Sequence, residues 1–295
     1  SSIAFCSAGT LMSLIGGVVK SSTQRSGSRK PPGGVVAAGL VLLALAVVAL
    51  WPSLVASYSP LETDASSTLQ PPSAEHIFGT DQSGRDVFSR VVHGAPYSLA
   101  IGLGATGVAL GLGLLLGVSA ALGSRIVDGI LSRFIDVLMA FPEFLLALVV
   151  IAVMGPGESS IPLAVAIAAT PAYARVARAE TLVVAHAGYV RASASLGVSR
   201  ARIILFHIIP NISGPLLVMA TIGVGTAIVT AAGLSFLGLG AQPPTPEWGI
   251  ILSEGRNFLA TAWWIAVFPG LAITTSVVSI SVVGRYFRTR REVVL

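Results

Sequence analysis

The sequence predicts an all-α, polytopic membrane protein with six transmembrane helices. The 295 residues are 54% hydrophobic and only 11% charged, whereas an ordinary soluble domain carries about 25% charge. The mean hydropathy is +0.84. The 32 glycines and 17 prolines lie within long apolar runs, where membrane helices contain them more often than soluble helices do. Together these observations exclude a soluble globular domain.

Length places each span, because a helix needs about 20 mostly apolar residues to cross the ~30 Å hydrocarbon core. The third predicted span is interrupted by Asp136 and by Pro142-Glu143, and Arg175 and Arg178 extend the fourth by directing their charged ends outward. In chain order the six runs are 33–54, 94–124, 129–154, 159–174, 210–233 and 258–284. The apolar run 3–19 falls short of a span and lacks a basic segment before it, so we expect neither a span nor a signal segment there.

Basic residues set the orientation, because Lys and Arg are retained on the cytoplasmic side. With both termini inside, few of the 18 basic residues lie outside: Arg85, Arg90 and Arg256. The four tryptophans then fall at or beyond the outer ends of spans, as an interfacial belt predicts: Trp51, Trp248, Trp263 and Trp264. Both signals indicate an N-in, C-in topology.

This topology divides the chain into parts. The expected parts are a cytoplasmic tail (1–32), the first span (33–56), an external segment (57–93), a core of five spans (94–290) and a cytoplasmic tail (291–295). The core contains a cytoplasmic connection at 179–209 and an external loop at 235–260.

Several kinds of chemistry are excluded by missing motifs. Cys6 is the only cysteine, so a disulfide within the chain and a multi-cysteine metal site are both impossible. A phosphate-binding loop needs glycine before its lysine, but Val19 and Arg29 precede the two lysines. No G-x-S-x-G nucleophile motif occurs, and the scattered cations form no nucleic-acid surface. We therefore expect no enzyme, cofactor or metal site on this chain, and a passage, a scaffold or a signalling role remains.

Two carboxylates fall within the predicted spans, Asp136 and Glu143. An ion-coupled secondary transporter would place such groups at its centre, and this alternative stays open. The favoured interpretation is that Asp136 lies one turn from Arg133 near the cytoplasm. Pro142-Glu143 then marks a broken helix whose carboxylate faces protein or water.

The cytoplasmic segment 189–211 (YVRASASLGVSRARIILFHIIPN) predicts two short helices that meet at Gly197. Glycine there supplies a left-handed cap, Ser199 is the candidate N-cap of the second helix, and Pro210 interrupts at the membrane entrance. The first helix presents small residues flanked by Tyr189 and Leu196, which predicts a docking surface for a partner. The alternative is a helix that lies on the membrane surface.

At this point the chain resembles a known family, the membrane-spanning permease subunits of ATP-binding-cassette importers. The resemblance is to the di- and oligopeptide/nickel group, and within it to the second of two permeases. Three motifs carry it: 72–90 (PSAEHIFGTDQSGRDVFSR), the cytoplasmic segment at the place of an E-A-A-x-x-x-G motif followed by H-I-L-P-N, and 234–249 (LSFLGLGAQPPTPEWG). The chain departs from the pattern at Arg191-Ala192-Ser193 in place of E-A-A, at Ile209, at Ala231 and in the ending 283–289.

The resemblance implies a type I importer permease fold in a bacterial cell membrane, with no catalytic role. The partners that it implies are a second homologous permease, two cytoplasmic ATPase subunits that bind ATP and Mg, an external substrate-binding protein and the lipid bilayer. No nucleic acid is expected as a partner. The residues expected to couple to the ATPases are Tyr189, Arg191, Ala192, Ser193, Leu196, Gly197 and Ser199. Peptides are the favoured cargo, while nickel chelates, another small solute and a non-transporting scaffold remain open.

The external motif is expected to be structural. Asp81, Arg85 and Asp86 are predicted to pair with each other and to hold the turn from Gly79 to Gly84, in preference to binding cargo. Span two also contains two small-residue pairs that predict close helix packing. These pairs are Gly107 with Gly111 and Gly113 with Gly117.

Overall fold

The computed structural model describes residues 32–292, so Cys6 and most of both predicted tails lie outside the described residues. The described part is helical apart from turns, short 3₁₀ segments and an isolated bridge between Thr80 and Asp86. In chain order the helices are α1 (Gly33–Leu50), α2 (Val87–Leu122), α3 (Arg125–Met139), α4 (Glu143–Met154), α5 (Ser160–Ala185), α6 (Gly188–Ser195), α7 (Arg200–Ile203), α8 (Ile209–Phe236), α9 (Trp248–Gly255) and α10 (Trp264–Glu292).

Five of the described helical stretches are long and apolar enough to cross a membrane. They are Gly33–Leu50, Val87–Leu122, Ser160–Ala185, Arg200–Phe236 and Trp264–Thr289. Helices α3 and α4 give the sixth if they are one span, bent by 99° at its break. Pro142 explains the break, because proline lacks an N–H and disfavours helical backbone at the residue before it. Five of the six predicted spans are therefore present among the described residues as single helical stretches, and the third corresponds to the pair α3 and α4, which is broken where the sequence indicated.

The helix that follows the cytoplasmic segment differs from the prediction. Pro210 does not interrupt it: α7, a π-helical turn at Ile204–Ile208 and α8 form one stretch from Arg200 to Phe236. Proline is tolerated because the π-helical turn directly before it replaces the regular hydrogen-bond pattern of the α-helix at the point where its N–H is missing. The cytoplasmic segment is thereby joined directly to the fifth span.

Two helix ends also lie beyond their predicted positions. Helix α2 begins at Val87, because the Asp86 carboxylate caps it by accepting from the Ser89 backbone N–H at 2.7 Å. Helix α5 continues to Ala185, so the cytoplasmic connection starts at His186.

Ion pairs hold α3 against α5. Arg178 donates to both carboxylate oxygens of Asp128 at 2.7 and 2.8 Å. Arg175 donates to Asp136 at 2.5 Å, so Asp136 pairs across to α5 and not with Arg133 on its own helix. These two arginines serve as partners for α3, in addition to ending the apolar run of α5.

Close packing of α2 on α5 depends on one of the two glycine pairs. A Cβ at Gly113 would overlap Tyr173 and lie 2.9 Å from the Ala174 nitrogen, and one at Gly117 would lie 2.5 Å from the Ala174 oxygen. At Gly107 and Gly111 a Cβ would meet nothing within 4 Å. The second predicted pair therefore lies in the interface, and the first faces away from it.

The predicted interfacial belt of tryptophans agrees with the structure at two of its four positions. Trp51 and Trp263 are exposed, but Trp248 and Trp264 are buried. The Trp248 indole donates to the Val91 carbonyl at 2.8 Å, and the Trp264 indole donates to the Thr80 carbonyl at 3.0 Å. Hydrogen bonds to the protein explain this placement, because a buried indole N–H needs a partner.

Candidate functional site

A cavity of about 970 Å³ lies between α2, α4, α5, α8 and α10. Its wall is mostly apolar, with small residues such as Ala105 and Ala169. The polar and charged residues that line it are Thr106, Glu143, Tyr173, Glu180, Asn211, Thr226 and Arg288. Asn211 lies in the first turn of α8 and Glu180 lies within two turns of the end of α5, so these two mark the end of the cavity nearer the segment 186–209.

Glu143 is the first residue of α4 and lines this cavity. It follows Pro142 at the break, so the bend between α3 and α4 brings the carboxylate to the cavity wall. This placement agrees with the interpretation of a carboxylate that faces protein or water. Asp136 lies elsewhere, in the ion pair between α3 and α5.

The cytoplasmic helix α6 ends in a Schellman cap. The Val198 N–H donates to the Ser193 carbonyl at 3.2 Å, and the Gly197 N–H donates to the Ala194 carbonyl at 3.1 Å. Gly197 has φ of +79°, a backbone conformation that favours glycine. The predicted left-handed cap is confirmed. Ser199 occupies the N-cap position of α7, but among the described residues its side chain makes no capping hydrogen bond.

Helix α6, which the sequence predicts to be cytoplasmic, exposes two large side chains. Leu196 is 84% exposed and Tyr189 is 48% exposed. Arg191 and Ala192 are also exposed, Ser193 is half-buried, and Val190 on the opposite face is buried against the helix core. Tyr189 and Leu196 are two helical turns apart and therefore lie on the same side of α6, where one partner surface can cover both.

His207, the first residue of the segment compared with H-I-L-P-N, joins α6 to the fifth span, a role that sequence reasoning did not assign to it. It lies in the π-helical turn, with its ring 6.4 Å from the Tyr189 ring and its Nε2 3.5 Å from the Ser193 Oγ. These contacts join residues 14 to 18 positions apart, and the motif that contains them does not by itself indicate that they touch. The contacts connect the exposed helix mechanically to the stretch that lines the cavity.

On the external side, the motif at 72–90 contains a buried ionic cluster. Arg85 Nε donates to Asp81 Oδ2 at 2.6 Å, and Arg90 donates to the same oxygen at 2.7 Å. Glu254 of α9 accepts from both arginines, at 2.9 and 2.6 Å. Burial by itself would lower the pKa of Arg85, but the charges of Asp81 and Glu254 outweigh it and raise that pKa.

The structure therefore brings only some of the predicted external residues into contact with each other. Asp81 and Arg85 pair, but Asp86 turns away and contacts His76 Nδ1 at 3.0 Å. Sequence reasoning missed Arg90 and Glu254, which are 164 residues apart. Only charge could have suggested them, and charge alone does not select a partner so distant in sequence.

The turn from Gly79 to Gly84 needs both glycines. Their φ values are +71° and +72°, where a side chain is strained. A Cβ at Gly84 would also overlap the Asp64 carbonyl, and one at Gly79 would lie 2.6 Å from the Gln70 carbonyl oxygen. The segment 72–90 thus folds tightly, and the ion pairs of Arg85 and Arg90 with Glu254 hold it against α9.

Comparison with protein families matches residues 113–293 to the model described as "Binding-protein-dependent transport system inner membrane component". The chain is 41% identical over 245 residues to the dipeptide transport system permease protein DppC of Alkalihalophilus pseudofirmus, covering 83% of this chain and 81% of that protein. It is 39% identical over 257 residues to the di/tripeptide transport system permease protein DppC of Pseudomonas aeruginosa, covering 85% of each.

Solved structures with a similar fold include an inward-facing MetNI methionine ABC transporter. That chain matches with a TM-score of 0.55 at 18% identity, covering 68% of this chain and 95% of its own. An amino acid ABC transporter with histidines matches with a TM-score of 0.53 at 16% identity, covering 68% and 94%. At these identities the similarity concerns the fold.

Proposed function

Because the chain belongs to the family of binding-protein-dependent transport system inner membrane components, we propose that it forms half of the path through which an ATP-driven importer moves di- and oligopeptides. A member of this family is a multi-pass permease of the bacterial inner membrane and not an enzyme, and ATP is hydrolysed on partner subunits. Peptides are proposed because the similar proteins from Alkalihalophilus and Pseudomonas carry dipeptide and di/tripeptide transport names.

The observation that carries the proposal is the direct connection between α6 and the cavity. Helix α6 has an exposed apolar face, and Gly197 to Ser199 join it to the stretch Arg200–Phe236. That stretch supplies Asn211 and Gly223 to the cavity wall. A push on α6 from the cytoplasm would therefore move one wall of the cavity, as rigid-body alternating access requires.

The proposed partners follow from this arrangement. A second permease closes the open side of the cavity, and two cytoplasmic ATPase subunits with bound Mg and ATP dock on Tyr189, Leu196 and their neighbours. An external binding protein delivers the peptide near the fastened unit formed by 72–90 and α9. Arg191, Ala192 and Ser193 stand at the place of the usual E-A-A, so the contact with the ATPase relies on packing more than on an acidic residue.

Reconstitution tests the proposal. The chain is purified with the subunits that remain bound, placed in proteoliposomes, and supplied with ATP, the binding protein and radiolabelled dialanine. We expect uptake that needs ATP and persists when an ionophore removes the proton gradient. Uptake that follows the proton gradient and ignores ATP would instead establish an ion-coupled carrier. ATP hydrolysis that no peptide or binding protein stimulates would point to a scaffold.

A further inference from the structure

Glu143 lies deep in the membrane part of the cavity. Helix α4 has 12 residues, a length of about 18 Å at 1.5 Å per residue, and Glu143 stands at the end that meets α3. Thr106, Tyr173 and Gly223 lie near the middles of α2, α5 and α8 and line the same cavity. Four elements therefore meet around this carboxylate at mid-depth.

The polar groups at this depth lack partners within the chain. Among the described residues, the Glu143 carboxylate has neither a hydrogen bond nor an ion pair, and the Tyr173 hydroxyl has no hydrogen bond. The hydroxyl of Thr106, a residue only 5% exposed, is buried without a partner. Gly223 provides the space in front of the tyrosine, because a Cβ there would overlap the Tyr173 hydroxyl and contact the Thr106 methyl at 3.6 Å.

An intramembrane carboxylate without a partner is expensive and in most proteins marks a functional site. The residues around it limit what it can bind. The described residues contain no group of three or more His, Cys, Asp or Glu that could hold a metal, and a hard cation such as Ca²⁺ needs six or more oxygens. A primary ammonium carries one positive charge and three donors. The Glu143 carboxylate offers the matching charge and two acceptor oxygens, and the Tyr173 hydroxyl that borders the same cavity offers a third acceptor.

We propose that Glu143 binds the positively charged amino group of the peptide at mid-membrane, with Tyr173 and Thr106 as neighbouring polar groups. The inference rests on the proposed transport function. The site would hold one end of the cargo while the apolar wall of Ala105 and Ala169 accepts varied side chains. The binding must be weak, because a transport site has to release its ligand toward the other side.

The first test compares two Glu→Gln variants in the reconstituted complex. Glu143→Gln keeps the side-chain shape and removes the charge, and Glu158→Gln is the matched control at an exposed external position outside the cavity. We expect Glu143→Gln to lower dialanine uptake per ATP hydrolysed at least tenfold, with subunit composition unchanged, and Glu143→Asp to recover part of it. Glu158→Gln should stay within twofold of the wild type. A loss below threefold for Glu143→Gln would overturn the inference.

A second measurement uses the wild-type complex and needs no transport. A carbodiimide activates carboxylates, and dialanine amide, whose α-amino group is its one nucleophile, is coupled to them and mapped by mass spectrometry. We expect the adduct on Glu143 to saturate with peptide concentration, to exceed that on Glu180 at least tenfold, and to vanish with N-acetyl-dialanine amide. Equal or linearly rising adducts on both residues would overturn the inference.

These two readouts separate this inference from the proposed function. If the wild type transports no dipeptide, the proposed cargo is wrong, while the coupling reaction still reports whether Glu143 holds an amino group. If the wild type transports dialanine and neither readout singles out Glu143, only the mid-membrane site is wrong.

Discussion

Glu254→Gln should strongly destabilise the external side of the protein. Glu254 is 12% exposed and accepts from Arg85 and Arg90, and the Arg90 and Asp81 side chains are fully buried. The cluster is neutral as it stands, with two arginines and two carboxylates. The variant leaves one uncompensated positive charge in a buried site.

The expected size follows from the geometry of the cluster. Removing one partner of a buried ion pair costs about 3–5 kcal/mol. The lower end applies, because Asp81 still pairs with both arginines at 2.6 and 2.7 Å. With about 2–4 °C per kcal/mol for a chain of this size class, a loss of about 3 kcal/mol lowers the apparent Tm by about 6–12 °C.

Heating the detergent-purified protein and measuring the surviving fraction by fluorescence-detected size exclusion gives the apparent Tm. Glu62→Gln is the matched control, because Glu62 is an exposed external carboxylate whose loss should stay within about 0.5 kcal/mol. The double variant Arg90→Gln/Glu254→Gln should lose less than the sum of the single variants, because it removes both charges of one pair. Strict additivity, or a shift of 2 °C or less for Glu254→Gln, would refute the reasoning.

Four further outcomes are expected. Gly113→Ala should lower the free energy of unfolding by several kcal/mol, because its Cβ intrudes between α2 and α5. Gly107→Ala faces open space, so the free energy of unfolding should stay unchanged or rise by at most about 1 kcal/mol in the same thermal assay. Gly197→Val should leave assembly largely intact, because its Cβ meets nothing within 4 Å and only the positive φ penalises it, by about 1–2 kcal/mol. It should weaken ATPase attachment or reduce uptake per ATP, and normal uptake per ATP would remove α6 from the coupling role. In a background without the native cysteine, a cysteine at Thr63 should react with an impermeant external thiol reagent and one at Ser199 should not, whereas external labelling at Ser199 would contradict the N-in topology. The chain purified alone should hydrolyse no ATP above background, and a rate that survives removal of contaminating ATPases would contradict the assignment of hydrolysis to partner subunits.

Features with a local cause could be predicted from the sequence. The Gly197 cap depends on a few adjacent residues, and the break before Glu143 depends on Pro142. The pairing of Asp81 with Arg85 spans four residues. Span length and hydropathy likewise act within single helices, so the spans were found.

Features that depend on contacts between distant segments were missed or misread. Glu254 reaches Arg90 across 164 residues, and charge patterns do not rank partners at such separations. Trp248 and Trp264 were assigned to the membrane interface because they lie at or beyond the outer ends of predicted spans, and the sequence does not indicate which groups accept from them. The acceptors are backbone carbonyls of Val91 and Thr80, which any residue could supply.

The broken third span has a consequence for biogenesis. Helix α4 has 12 residues, fewer than the roughly 20 that a helix needs to cross the bilayer alone. Helix α3 before it carries Asp128 and Asp136, whose partners Arg178 and Arg175 are on α5 and are synthesised later. We therefore expect the third span to reach its final position only after α5 has been synthesised, because the two carboxylates of α3 then meet their partners.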